Sequence, residues 1–280
     1  MATTLTNISQ WISGGATKLQ YAISSSGRPY DASALTAGND SGMTDVDGFR
    51  VASVSFPEAR TLQIEGDDGV RGSIIFAGNT TPTFTLAFSD LTMAFMDAIQ
   101  GTSADDAQSV YDIGILDPAN LSFPDLFIMM TRRAVSTEAG EEGNGYETVV
   151  FPLCTGIFTG MGDFNTGDNA GEYGFQITVN RVSQLPFGET LTTANHGTTE
   201  ASGFIFWSQY IPTFDVFIQD NSTTAWTPNN TIAANSQVIA FDGASGASAA
   251  TLAVTLSSGD ITFTAQTSGN ITTAMYERVG

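Results

Sequence analysis

The sequence predicts a mainly β protein: an antiparallel β-sandwich or barrel with one flanking α-helix and a long β-hairpin arm. Two observations predict it, and a third excludes a membrane-spanning helix. Short runs of β-branched and aromatic residues recur along the 280-residue chain, separated by Gly, Asn, Asp and Pro. Long helices do not alternate with these runs, which argues against an α/β fold. No window approaches 18 consecutive apolar residues, which excludes a membrane-spanning helix.

The predicted elements follow in chain order. A weak element over Trp11–Ile23 precedes a Gly-, Asp- and Ser-rich loop at 28–48. Predicted strands with alternating or β-branched sequences then cover 49–56, 62–65, 71–76, 83–88, 125–135, 146–151, 173–181, 204–207, 214–218, 237–241, 251–256, 261–265 and 271–276. Alternation is cleanest at 173–181, where Phe175, Ile177 and Val179 share one face, as in a half-buried antiparallel strand.

Residues 89–100 predict the one clear helix. Ser89 is a good N-cap residue, and the carboxylate of Asp90 would lie in the first turn, where the helix dipole favours it. Gly101 follows the last periodic residue and suits the C-terminal cap. The apolar residues recur at helical spacing and form one stripe for packing on a sheet: Leu91, Phe95, Ala98 and Ile99, with Met96 at its edge.

Residues 125–151 predict a long hairpin. The apolar run 126–130 continues into Arg132 and Arg133, and the chain returns as a strand from Tyr146. Between them lies a Gly-rich tip with three acids, Glu138, Glu141 and Glu142. Such a tip is either a solubilising loop or, in an assembly, a docking arm whose arginines attract acids on a neighbour.

The charge limits the function. Eight arginines and Lys18 face 29 acids, for a net charge of −20, which excludes a surface that grips nucleic acid and argues against binding anionic membranes. Residues 61–190 carry four of the bases and eighteen of the acids.

The length of the chain predicts roughly two domains, at about 150 residues per domain. The polar stretch 190–199 resembles a linker, so we expect a first domain over 1–190 and a β-rich region over 191–280, either an appended small β-sandwich or closing strands.

The residues that could support catalysis are sparse, so we expect no enzyme and no cofactor or metal. His196 is the single histidine and lies in the linker-like stretch, and Cys154 is the single cysteine, so internal disulfides and cysteine-rich zinc sites are excluded, and any other transition-metal site would need mostly carboxylates. Paired acids could serve a glycosidase, but they lack the aromatic and amide residues of a sugar cleft. The run from Asp163 to Asp168 lacks the glycine and glutamate of a calcium loop and reads as a turn.

The order of elements over roughly 45–190 resembles the tail tube proteins of long-tailed, siphovirus-type bacteriophages. The residues that carry the resemblance are 62–65, 72–76, the 83–88 strand leading into the helix, the hairpin ending at 149–152, and the strand at 174–179. The resemblance implies a β-sandwich that forms hexameric rings stacked into a hollow tube, with hairpins joining the rings and genome DNA passing through without specific binding. Family members often carry a C-terminal immunoglobulin-like domain, which would suit residues after about 190.

The resemblance also implies partners and sites. The partners would be further copies of the chain and other tail proteins: the tape measure, tail tip and tail terminator. The location would be the virion tail, assembled in the bacterial cytoplasm, since residues 1–10 do not resemble a secretory signal. Contact candidates are Arg132, Arg133, Glu138, Glu141, Glu142 and Tyr146. Candidates for an acidic lumen are Glu65, Asp67, Asp68, Asp163, Asp168 and Glu172. Another virion decoration or surface-binding β-module is the alternative.

Overall fold

The protein is mainly β, with antiparallel sheets that include a curled half-barrel, as predicted. The computed structural model describes residues 11–34, 36–47, 49–55, 60–66, 69–76, 81–88, 92–101, 123–136, 144–160, 173–234, 236–245 and 247–279. The strands are β1 Trp11–Ile23, β2 Asp40–Gly42, β3 Thr44–Val46, β4 Phe49–Ser55, β5 Arg60–Gly66, β6 Gly69–Phe76, β7 Thr83–Phe88, β8 Leu126–Ser136, β9 Asn144–Gly160, β10 Tyr173–Val179, β11 Phe204–Ser208, β12 Ile211–Ile218, β13 Ala225–Trp226, β14 Ile239–Gly243, β15 Ala250–Leu252, β16 Val254–Ser257, β17 Asp260–Phe263 and β18 Ile271–Arg278. The helices are α1 Met93–Gln100 and α2 Thr193–His196, and Ala32–Ala34 forms a 3₁₀ turn.

The largest sheet has eight strands in the order β3-β1-β8-β9-β10-β7-β4, with β11 pairing with β9 beside this path. A five-stranded sheet has the order β15-β14-β18-β12-β2, a three-stranded sheet the order β13-β17-β16, and β5 pairs with β6. All of these pairings are antiparallel. The predicted strands at 83–88 and 173–181 are confirmed almost to the residue.

The apolar run of β8 is explained by cores on both faces of the strand. Leu126, Ile128 and Met130 contribute to a core that also contains α1, whereas Phe127 and Met129 contribute to a core on the opposite side. The five residues are all buried. A strand covered on both faces needs apolar residues at consecutive positions, so the run replaces the alternation expected of a half-buried strand.

Helix α1 packs on one face of the large sheet. The Phe95 ring lies 5.0 Å from that of Tyr21, 5.2 Å from Phe88 and 5.7 Å from Phe175, centroid to centroid. The predicted end at Gly101 is confirmed by its φ of 66°. The predicted start at Ser89 is wrong, because the helix begins at Met93 after an extended Thr92. Ser89, Asp90 and Leu91 lie outside the described residues.

A glycine permits the close approach of α1. A Cβ on Gly156 of β9 would lie 2.9 Å from Cγ2 of Ile99 in α1 and 3.0 Å from Cδ1 of Ile177 in β10. Real Cβ atoms do not approach that closely, so only glycine fits at this position of the strand.

The second core joins the large sheet to the five-stranded sheet. It packs Phe127 and Val150 of the large sheet against Phe214 of β12 and Phe241 of β14. Phe187, in the segment between β10 and β11, stacks on Phe241 at 5.2 Å.

The five-stranded and three-stranded sheets enclose a third core. Phe217 of β12 stacks on Trp226 of β13 at 5.6 Å, and Ile261 and Phe263 of β17 complete this core.

Strand pairings cross residue 190, where a domain boundary is predicted. β11, from the later part of the chain, pairs with β9, and β2, from the earlier part, pairs with β12. Residues 190–199, expected to form a linker, contain the short helix α2, which Thr192 and Asn195 cap reciprocally. The division at 190 stays a prediction, and any boundary there would cut through two strand pairings and the second core.

Candidate assembly surface

The end of the β8–β9 hairpin presents a row of side chains across three strands. Arg133 of β8 lies opposite Tyr146 of β9, and Tyr146 lies opposite Ser208 of β11. Val135 is two residues beyond Arg133 and therefore shares its face. This is the same face of the sheet that, nearer the centre, packs through Phe127 and Met129 into the second core. The row therefore lies on the face of the large sheet that packs against the five-stranded sheet, beyond the part of that face that the second core covers.

This overhanging face forms an open groove with a cavity volume of about 520 Å³. We call it the hairpin groove; its lining residues are Arg133, Ala134, Val135, Gly145, Tyr146, Gln209 and Tyr210. Two of its apolar side chains are unusually exposed, Val135 at 45% and Tyr210 at 38%. A volume of this size lies in the range of roughly 300–1,000 Å³ typical of binding clefts.

Arg133 is exposed and has no carboxylate partner within 4 Å among the described residues. The other bases whose side chains are described are paired or buried. Arg181 pairs with Glu200 on the surface at 3.5 Å, and Arg28 is buried, where its guanidinium donates to Oγ1 of Thr273. In a chain of net charge −20, an arginine without an acid partner among the described residues is a distinctive feature.

The neighbouring Arg132 lies on the opposite face and is paired within the chain. Its Nη2 donates to Oε1 of Glu147 at 2.6 Å, and this links β8 to β9 across the hairpin. The Glu147 side chain is only 4% exposed and that of Arg132 is 45% exposed. The pair therefore stabilises the hairpin end, and of the two predicted arginines Arg133 is the one that faces the groove.

A second ion-pair group ties the sheets together. Asp45 of β3 accepts from Lys18 of β1 at 2.8 Å and from Arg278 of β18 at 2.7 Å. Partial burial would raise the pKa of Asp45, but the hydrogen bonds and charges of Arg278 and Lys18 outweigh it and hold that pKa below its usual value.

A glycine also shapes the groove wall. A Cβ on Gly145 would lie 2.8 Å from the carbonyl oxygen of Ser208, so a side chain there would push β11 away from β9. The backbone N–H of Gln209 donates to Oε1 of Glu277 at 2.7 Å, and this fixes the turn that carries Tyr210. The groove is thus built on paired strands and an anchored turn.

The structure brings together three of the predicted contact residues, Arg132, Arg133 and Tyr146, at the hairpin end. Glu65 lies in β5 opposite Val70. The other candidates lie outside the described residues: Glu138, Glu141, Glu142, Asp67, Asp68, Asp163, Asp168 and Glu172. Sequence reasoning missed Gln209 and Tyr210, because more than sixty residues separate them from Tyr146 and no pattern marks a turn that folds back beside the hairpin.

The single cysteine and the single histidine of the chain lie in different surroundings. Cys154 is buried, and desolvation, with a smaller effect from Asp125, raises its pKa well above the usual value. His196 is exposed at the end of α2. Within the described ranges, no group of three or more His, Cys, Asp or Glu side chains is arranged to hold a metal ion.

The comparisons with known proteins identify no relative: no family model matches the chain, and no curated protein matches it significantly. In the part of the chain that the structure describes, no helix has both the length and the apolar character needed to cross a membrane. The fold and the hairpin groove are therefore the basis for a functional proposal.

Proposed function

We propose that this protein is a structural subunit that polymerises, as stacked six-membered rings, into the tail tube of a long-tailed bacteriophage. The observation that carries the proposal is the hairpin groove, where Arg133, without an acid partner in the described part of the chain, lies beside the exposed Val135 and Tyr210. Arginine and tyrosine are enriched in the centres of protein interfaces, and an exposed apolar side chain gains free energy when a partner covers it.

A second observation supports assembly. β5 and β6 pair with each other and, among the described residues, with no third strand. An isolated two-stranded hairpin is marginally stable in water, and further strands or packing are needed to hold it. A neighbouring copy in a ring would supply that packing. The strands β4 and β3 end the path of the large sheet, and closed assembly is one way to cover such edges.

The charge agrees with a DNA channel. A duplex carries one negative charge for every ~1.7 Å of its length, so a wall of like charge keeps phosphates from sticking. Repulsion of this kind acts over a Debye length of roughly 8 Å at physiological ionic strength. In this proposal the lumen acids come from residues 61–190, where the acidic excess lies. Tape measure, tail tip and tail terminator proteins would contact the ends and interior of the tube in the virion.

Sedimentation velocity of the purified protein over a series of concentrations tests the proposal. We expect cooperative growth from monomer to ring-sized and longer species, with no binding of added duplex DNA at physiological salt. Discrete trimers or a monomer at every concentration would instead favour the alternative, a decoration or surface-binding module. Formation of a stable DNA complex would contradict the proposed role of the charge.

The lumen acids have their own test. Replacing Asp163, Asp168 and Glu172 with lysine should leave assembly intact and make the tubes retain DNA, because the phosphates would then meet cations. The matched control replaces three exposed acids outside residues 61–190, Asp40, Asp47 and Glu200, with lysine. Equal DNA retention by both variants would show that general charge, and not a lumen, controls the contact.

A further inference from the structure

We infer that the hairpin groove binds the acidic segment 137–143 of a second copy of this chain. This inference rests on the proposed function, because it names the partner of the surface that carries it. The segment reads Thr-Glu-Ala-Gly-Glu-Glu-Gly, with three carboxylates and no base.

The groove has the chemistry to bind a carboxylate. Arg133 offers a guanidinium that can donate two parallel hydrogen bonds to one carboxylate, the strongest geometry for such a pair. Tyr146 and Tyr210 flank it in the groove lining and can contribute hydroxyl donors and ring surface. Glu277, whose Oε1 accepts from the backbone N–H of the lining residue Gln209, forms no ion pair with Arg133.

Charge complementarity selects an acidic occupant. Arg132 is engaged by Glu147 on the other face, which leaves Arg133 as the groove's cation. A purely apolar occupant would bury that guanidinium without a partner, which is costly. A basic occupant would be repelled. An occupant that carries several glutamates within a few small, flexible residues satisfies both the cation and the limited volume.

A second copy is the occupant that gives assembly. When the segment of one molecule enters the groove of the next, the contact is heterologous, and it repeats into a closed ring or an open filament. The same contact made within one chain would bury the surface without itself joining two molecules. The inference therefore predicts that segment and groove belong to different molecules.

Charge reversal tests this arrangement. Arg133→Glu removes the groove cation, and Glu141→Lys with Glu142→Lys reverses the segment. Each variant alone should raise the concentration needed for assembly by at least about tenfold, as expected for the loss of a central interface arginine. Mixing the two variants in equal amounts should restore assembly, because each groove then meets a segment of opposite charge on the other molecule. The readout is sedimentation velocity.

Matched variants control for net charge. Arg181→Glu changes an exposed arginine outside the groove, and Asp47→Lys with Glu200→Lys changes two exposed acids; both should assemble like the wild type. If the wild type assembles and Arg133→Glu assembles equally well, the inference is overturned and the proposed function stands. If only a chain carrying all three reversals assembles, and the mixture does not, the contact lies within one chain. If the wild type never assembles, both the inference and the proposed function fail.

Discussion

Asp215 offers a quantitative test of the packing of the five-stranded sheet. The residue lies in β12, opposite Gly42 of β2, and is fully buried. Its Oδ2 accepts from the hydroxyl of Tyr276 and from the backbone N–H of Asn229, both at 2.7 Å. The pKa of Asp215 is raised from 3.8 to about 6. Desolvation has the largest effect, the hydrogen bonds from Tyr276 and Asn229 partly offset it, and the nearby charge of Asp40 adds to it.

The sign of the pH dependence follows from this raised pKa. Below pH 4 the folded and unfolded chains both hold the proton. Between about pH 4 and 6 the folded chain still holds a proton that the unfolded chain has released, so the contribution of Asp215 to stability falls as the pH rises. A pKa difference of about two corresponds to roughly 3 kcal/mol, at about 1.4 kcal/mol for each pKa unit.

Replacing Asp215 with Asn removes this titration and keeps the side chain's shape. We expect the free energy of unfolding of Asp215→Asn, relative to the wild type, to rise by about 3 kcal/mol between pH 4 and pH 7. Urea unfolding followed by circular dichroism at each pH measures it, and the difference between the two proteins cancels the titration of the other acids. A difference that stays constant from pH 4 to pH 7 would refute the account of a desolvated carboxyl.

Three further predictions concern the sheet contacts and the hairpin. Asp45→Asn should show the opposite pH dependence, since the pKa of Asp45 is held low. In urea unfolding, the loss of unfolding free energy caused by this substitution should be largest above pH 4 and should shrink as the pH falls. A loss that grows on acidification would contradict the ion pairs. Gly156→Val should destabilise by about 1–3 kcal/mol through overpacking against Ile99, measured against Gly15→Val, because a Cβ on Gly15 meets nothing within 4 Å; equal costs would contradict the close packing of α1. Replacing residues 137–142 with Asn-Gly, a turn suited to a two-residue hairpin, should leave the far-ultraviolet circular dichroism unchanged and abolish assembly in sedimentation velocity, whereas undiminished assembly would exclude the tip as a docking arm.

Local sequence patterns predicted the strands whose burial in the folded protein matches their own alternation. β7 and β10 alternate because one face is buried and the other is less so, and α1 was found from its apolar stripe. β1 was predicted only as a weak element, because Gly14 and Gly15 interrupt its pattern; in the structure β8 holds it through register shifts between Ser13 and Lys18. β2 and β3 lie in a predicted loop, since strands of three residues carry no period and depend on pairing with β12 and β1.

The candidate site was predictable only in part. The sequence located the hairpin, its arginines and Tyr146 because they are adjacent in the chain. It could not separate the roles of Arg132 and Arg133, because which arginine meets Glu147 depends on the register between β8 and β9. The groove itself needs Tyr210, which reaches the hairpin through the pairing of β11 with β9.

Electron cryomicroscopy of the purified protein, at a concentration where sedimentation detects large species, tests the central claim most directly. The account predicts end-on views of closed rings with an axial channel wide enough for a DNA duplex, side views of stacked rings, and the hairpin of one subunit in contact with another subunit. Isolated globular particles, or compact oligomers without a channel, would contradict it.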